Sequence, residues 1–146
     1  FRPGIRAAAE RGAVTPLADA GMSKAQIRDA ARVWGLTVWD KPQAACLSSR
    51  VAYGIQISPA RLARIEAAEI AVRQELADRG VPCVNLRVRD LGDEARIEVD
   101  AELARDPGPW RDAAVAAAVA CGFESAWIDP QGFRSGSMNE GLIPTP

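Results

Sequence analysis

Hydrophobic and polar positions change period several times along this chain, and each change marks an element. From Ile5 to Arg11 an alanine-rich run reads as a short helix that Gly12 ends. Ser23-Lys24-Ala25-Gln26 has the form of a capping box, in which serine and the glutamine three residues on satisfy each other's backbone N–H. The helix it starts carries Ile27, Ala30, Ala31 and Trp34 at helical spacing and stops at Gly35. The apolar run Leu36 to Trp39 predicts a short strand. Asp40 to Gly54 has no period and reads as an ordered loop. Ser58-Pro59 opens another helix, cap first and proline at the first helical position. It runs to about Arg79, with Leu62, Ile65, Ala68, Ile70, Val72 and Leu76 on its apolar side, and stops at Gly80.

The period then falls to two. Val84 to Arg89 and Ala95 to Val99 alternate like strands about the turn Asp90-Leu91-Gly92-Asp93, which predicts a hairpin. Trp110 to Cys121 is an Ala- and Val-rich helix ended by Gly122, and Ser125 to Ile128 is a third strand. The tail from Gly132 to Pro146, rich in Gly, Ser and Pro, is expected to be loose. From Ser58 the order is α-β-β-α-β, a small α+β layer with helices on one face of a mostly antiparallel sheet. Residues 1–54 and 55–146 are read as two parts, the second being the small α+β domain.

Composition narrows the function classes. Of 146 residues, 48% are hydrophobic and 25% charged, the balance of an ordinary globular chain. The net charge of -1 gives no global pull toward nucleic acid or membrane, so neither is expected as a partner. No run is long and apolar enough to span a bilayer and no basic-then-apolar leader opens the chain, so the cytoplasm is expected. The opening Phe1-Arg2-Pro3-Gly4 has no initiator Met and reads as a loop already inside a fold, so an upstream part is expected. Cys46, Cys83 and Cys121 are an odd count at wide spacing, not a disulfide framework. With no histidine, Ser-His-Asp and Cys-His pairs and histidine metal sites are excluded.

Three constellations remain. In the hairpin, alternation puts Leu86, Val88, Ile97 and Val99 on one face and Arg87, Arg89, Arg96 and Glu98 on the other. One glutamate cannot neutralise three arginines, whose planar forks suit phosphate or carboxylate, so an anion is a plausible guest. A solvated sheet face with cross-strand ion pairs would show the same pattern. Cys46 lies between Lys41 and Arg50, cations that would favour its thiolate; a small buried thiol is the plainer alternative. Cys83 and Cys121 read as buried. Glu69 forms a favourable i,i+4 pair with Arg73, which surface solvation alone would explain. No Gly-rich phosphate loop is present, so the chain alone is not expected to bind ATP.

Taken in order, several short runs resemble one family. They are Arg2-Pro3-Gly4, Gly21-Met22-Ser23-Lys24, Lys41-Pro42, Ala45-Cys46-Leu47-Ser48-Ser49-Arg50, Arg87-Val88-Arg89, Ala95-Arg96-Ile97-Glu98-Val99 and Gly132-Phe133-Arg134-Ser135-Gly136. Together they are similar to the LarE family, PP-loop pyrophosphatases that act as sulfur transferases in making the nickel-pincer nucleotide cofactor of lactate racemase. The resemblance implies that residues 1–54 end a PP-loop, adenine nucleotide alpha hydrolase-like domain. It implies ATP and Mg²⁺, held mostly upstream, and adenylation of a carboxylate of a pyridinium-3,5-biscarboxylic acid mononucleotide. Sulfur then displaces AMP to leave a thiocarboxylate. In some members a cysteine of the enzyme is the sulfur source; in others three cysteines hold a [4Fe-4S] cluster. The sacrificial position aligns with Ala45 here, while Cys46 matches the third cluster cysteine, whose two partners would lie upstream. Ser49, Arg50 and Glu69 match substrate-side residues, Arg87 and Arg89 the phosphate-side arginines, and Glu98 the hairpin carboxylate. The resemblance also carries the expectation of a homo-oligomer. Two other readings stand beside it: a different PP-loop adenylating enzyme, amidating or tRNA-thiolating, and a non-catalytic anion-binding or oligomerisation module.

Overall fold

The structure, a computed structural model, describes residues 3–41 and 45–139. Phe1 and Arg2 of the opening run, Pro42 of the Lys41-Pro42 pair and the tail from residue 140 on lie outside the described residues. The chain forms two compact units, Phe1–Ala44 and Ala45–Pro146.

The first unit holds α1 (Pro3–Glu10), α2 (Pro16–Asp19) and α3 (Lys24–Val33). Ser23 caps α3 in a complete capping box: the Gln26 N–H donates to Ser23 Oγ at 3.3 Å and the Ser23 N–H to Gln26 Oε1 at 2.8 Å. Leu36 to Trp39 is not a strand. It folds into turns, with the Trp39 N–H on Leu36 O and the Lys41 N–H on Val38 O. A strand needs a pairing partner, and among the described residues of this unit there is none. None of its described residues is buried, and Val14, Val33, Trp34 and Val38 are well exposed.

The second unit carries the core. Residues Leu47–Arg50 form a 3-10 turn, followed by α4 (Pro59–Asp78), β1 (Arg87–Asp90), β2 (Glu94–Glu98), α5 (Ala101–Arg105), α6 (Trp110–Ala120) and β3 (Ser125–Ile128). The sheet runs β1-β2-β3. β1 and β2 pair antiparallel, with Arg87 opposite Glu98 and Arg89 opposite Arg96. β2 and β3 pair parallel, so the sheet is mixed and not mostly antiparallel. The parallel pairing follows from the connection, since a crossover carrying α5 and α6 returns the chain in the same direction. β1 is shorter than its alternation suggests. Val84 and Asn85 give their backbone N–H groups to the Asp100 carboxylate at 2.6 and 3.1 Å and have none to spare for a ladder.

The core lies between the sheet and the α4–α6 pair. Ile65, Ala68, Val72 and Leu76 of α4 and Trp110, Ala114 and Ala118 of α6 meet Leu86, Val88, Ala95, Ile97, Val99 and Ile128. Burying each large aliphatic side chain contributes about 1.5–3 kcal/mol. Ile70, placed on the apolar side of α4 from sequence, is 64% exposed, because five residues of helix rotate it roughly 140° from Ile65.

The segment after β3 is packed where a loose tail was expected. The Phe133 N–H donates to Val99 O at 2.6 Å, and Ser137 is buried in the 3-10 turn Ser137–Asn139. Gly132 makes this approach possible. Its φ is +69°, and a Cβ there would lie 2.6 Å from Ala101 Cα and 2.8 Å from Val99 O.

Candidate functional site

The chemistry-bearing residues gather on the polar face of the hairpin, beside the 3-10 turn and one side of α4. The turn itself is built around Arg50. Its Nη1 donates to the carbonyls of Ala45 at 2.7 Å and Cys46 at 3.1 Å and to Ser49 Oγ at 3.3 Å, and its Nε donates to Glu69 Oε1 at 3.0 Å. Ser49 Oγ donates back to Cys46 O at 2.8 Å. Arg50 is therefore buried, a guanidinium folded inward to shape the turn that displays Cys46.

Glu69 is not a surface residue spent on Arg73. Its Oε1 takes Arg50 and also the backbone N–H of Val88 at 3.1 Å. β1 is an edge strand, and Glu69 covers a donor that the edge would otherwise leave open. The next stretch of the same edge is closed by Val51, which bridges to Asp90, and by the Ala52 N–H on Asp90 O. One carboxylate thus ties the cysteine turn, α4 and β1 together.

Cys46 is exposed, and its Sγ is hydrogen-bonded to Ser48 Oγ. That bond and the Ser48 backbone N–H lower the thiol pKa, with a smaller contribution from the Arg50 charge. Hydrogen bonding does what the sequence assigned to neighbouring cations. Cys83 and Cys121 are partly buried and turn their thiols to the carbonyls of Asn85 and Ala117; burial pushes the Cys83 thiol up.

The hairpin face is not solvated. Glu98 is fully buried and accepts from Arg89 Nε and Nη2 at 2.9 and 2.6 Å, from Arg96 Nη2 at 3.0 Å and from Ser137 Oγ at 2.7 Å. Arg89, itself 6% exposed, reaches the Ser49 carbonyl at 3.2 Å with Nη1, which links the ion pair to the cysteine turn. Arg96 also lies 3.8 Å from Asp129, where Arg134 sits at 3.4 Å. Arg87 is partly buried, with its guanidinium over the Phe133 ring at 5.3 Å. Desolvation first, and then the nearby Arg50 charge, push its pKa below the usual arginine value. Arg50, Arg87, Arg89, Arg96 and Arg134 stand against Glu69, Glu98 and Asp129, leaving two positive charges over.

Sequence reasoning named Cys46, Ser49, Arg50, Glu69, Arg87, Arg89 and Glu98, and the structure brings them into one neighbourhood. It missed Asp129, Phe133 and Ser137, which reach the face from after β3. It also missed Asp90, read as a turn residue. Asp90 is fully buried and held by Arg61 Nη1 and Arg64 Nη2, each at 2.7 Å. No periodicity marks these residues; only the resemblance had singled out the Gly132 to Gly136 run. Among the described residues no group of three or more Cys, Asp or Glu could hold a metal ion. Cys46 is the one exposed thiol among the three cysteines, so this chain alone does not fit an iron–sulfur cluster.

Fold and site together describe a small mixed α/β unit with an exposed thiol of lowered pKa beside a net-positive cluster of arginines. No family model matches the chain. It is 36% identical, over 97% of its length, to an uncharacterised protein of Synechocystis (strain ATCC 27184), of which it spans 52%. It is likewise 36% identical, over 97% of its length, to the pyridinium-3,5-bisthiocarboxylic acid mononucleotide synthase of Lactiplantibacillus plantarum, of which it spans 49%. The chain spans about half the length of the curated relatives it matches. No helix among the described residues is long and apolar enough to cross a membrane.

Proposed function

We propose that this chain is the sulfur-delivery and substrate-anchoring portion of a cytoplasmic, LarE-type sulfurtransferase acting on a pyridinium-3,5-biscarboxylic acid mononucleotide. The observation that carries the reading is the joint placement of Cys46 and the arginine face. The turn that exposes the thiol is the turn that Arg50 folds and Arg89 touches. An anionic substrate held on this face brings its carboxyl toward a thiol whose pKa its hydrogen bonds to Ser48 lower.

In this reading ATP and Mg²⁺ activate the carboxylate outside this chain, which has no glycine-rich phosphate loop. The carboxylate attacks the α-phosphorus and pyrophosphate leaves. Arg87, with Arg89 behind it, offsets the charge of the substrate phosphate. Arg50 and Glu69 hold the turn rigid. A sulfur nucleophile then adds to the acyl carbon, AMP departs with the bonding pair, and a thiocarboxylate results. Where a cluster carries the sulfur, Cys46 would be one of its ligands, together with two cysteines upstream of this chain.

The test is Cys46→Ala in the full-length enzyme. Pyrophosphate release is expected to persist, because activation needs no sulfur, while thiocarboxylate formation stops. An active Cys46→Ala enzyme would sink the reading. Mass spectrometry of the Cys46 peptide after turnover then identifies the sulfur source. A sacrificial cysteine ends one H₂S lighter as dehydroalanine; a retained ligand keeps its mass.

A further inference from the structure

The run Gly132-Phe133-Arg134-Ser135-Gly136 has no role in the mechanism above, yet it lies on the mechanism's arginines. The chain leaves β3, turns at Asp129 to Gly132 and crosses the polar face of the hairpin. Gly132 is pressed against Val99 and Ala101 so closely that no side chain fits. That fixes the path of the next residues. Phe133 puts its ring 5.3 Å from the Arg87 guanidinium. Ser137, 4% exposed, accepts from Arg89 Nη2 at 3.2 Å while donating to Glu98 Oε1 at 2.7 Å.

Ser137 therefore completes a ring of three groups, Arg89, Glu98 and its own hydroxyl. Without the hydroxyl, Glu98 Oε1 keeps only Arg96, and the Arg89 fork loses one of the contacts that stop it rotating about its ion pair. A buried guanidinium can present an N–H at a fixed point only when its other donors are fixed. Phe133 does the equivalent for Arg87: the π face attracts the cation and restricts a long, otherwise rotamer-rich side chain.

We infer that the segment Gly132 to Ser137 is a positioning strap for the substrate-anion site, with Ser137 setting Arg89 and Phe133 setting Arg87. Neither residue touches the reacting atoms. Each acts through its arginine, and the inference rests on the reading of these arginines as the anchor for the substrate phosphate.

The experiment measures initial rates of pyrophosphate release, the step that needs no sulfur, in the full-length enzyme for Ser137→Ala, Phe133→Leu and Arg87→Ala, varying the mononucleotide and ATP separately. Thermal midpoints are recorded beside them. Ser137→Ala is expected to raise KM for the mononucleotide about tenfold, the scale of one charge-assisted hydrogen bond. Phe133→Leu, which keeps apolar volume and loses the π face, should raise it about threefold. KM for ATP should stay constant and kcat should hold within about twofold, because only substrate binding is touched. If both strap variants lower the midpoint and leave the mononucleotide KM unchanged while Arg87→Ala raises it, the strap is merely structural and the inference falls alone. If Arg87→Ala also leaves that KM unchanged, the anchor reading falls and takes the inference with it. Should Ser137→Ala fail to fold, Phe133→Leu decides by the same comparison.

Discussion

At Cys46 a side chain's neighbours decide its reactivity more than its charge environment does. Its hydrogen bonds to Ser48 lower the thiol pKa, and its exposure lets a reagent reach it. Cys83 is its opposite, partly buried and raised by desolvation. Alkylation by iodoacetamide near neutral pH should therefore label Cys46 first and Cys83 at least about tenfold more slowly, since the thiolate is the nucleophile. Ser48→Ala should slow labelling of Cys46 and leave Cys83 unchanged. Peptide mapping over a time course checks both, and equal rates at the two cysteines would contradict the assignment. The sequence pointed to Cys46 but not to the cause. A serine two residues on is visible in any listing; that its hydroxyl meets the sulfur depends on the 3-10 turn Leu47–Arg50, which has no periodic signature.

Among the elements, the hairpin shows what alternation can and cannot convey. The apolar face was legible residue by residue, and Leu86, Val88, Ile97 and Val99 are all fully buried. The other face was legible as polar, and polarity normally means solvent. Here Arg89 and Glu98 are buried too, because a segment some forty residues further on covers them. Capping chemistry, by contrast, is local, and both Ser23 and Ser58 cap their helices as read. The turn end of the hairpin hides a second charge cluster in the same way. Burial would raise the Asp90 pKa, but hydrogen bonds from Arg64, the Gly92 N–H and Arg61 outweigh it and hold the carboxyl below its usual range. A depressed carboxylate pKa contributes stability above the unfolded value, near 4, and loses it as pH falls through the folded value. Asp90→Asn should thus cost about 2–3 kcal/mol at neutral pH, because Arg61 and Arg64 are partly exposed and can regain water. The gap between variant and parent should close as pH drops below about 4. Urea titrations at several pH values measure it, and a gap that does not narrow in acid would place the stabilisation elsewhere.

Across the whole molecule, the two units differ in what holds them. Ala45–Pro146 has a core of side chains at or near zero exposure, with α4 and α6 stacked on a three-stranded sheet and ion pairs closing its edge and polar face. In Phe1–Ala44 none of the described residues is buried, and its helices rest on local devices: a capping box on α3, glycines in the left-handed region after α1 and α3, and the bond from Arg28 to the Lys41 carbonyl. Helices this short are marginal in water without a packed face, since nucleation is unfavourable and each added bond contributes little. Amide exchange on the purified 146-residue chain should therefore separate the units. Backbone N–H groups of α3 are expected to exchange close to the rate of an unstructured peptide. Those of Val72, Val88 and Ile97 should be protected by most of the global unfolding free energy. The capping box should give α3 only a modest, local delay, which Ser23→Ala would remove without changing exchange in the second unit. Protection of α3 equal to that of β2 would mean that the first unit gains burial this structure does not show, and that the two units unfold as one.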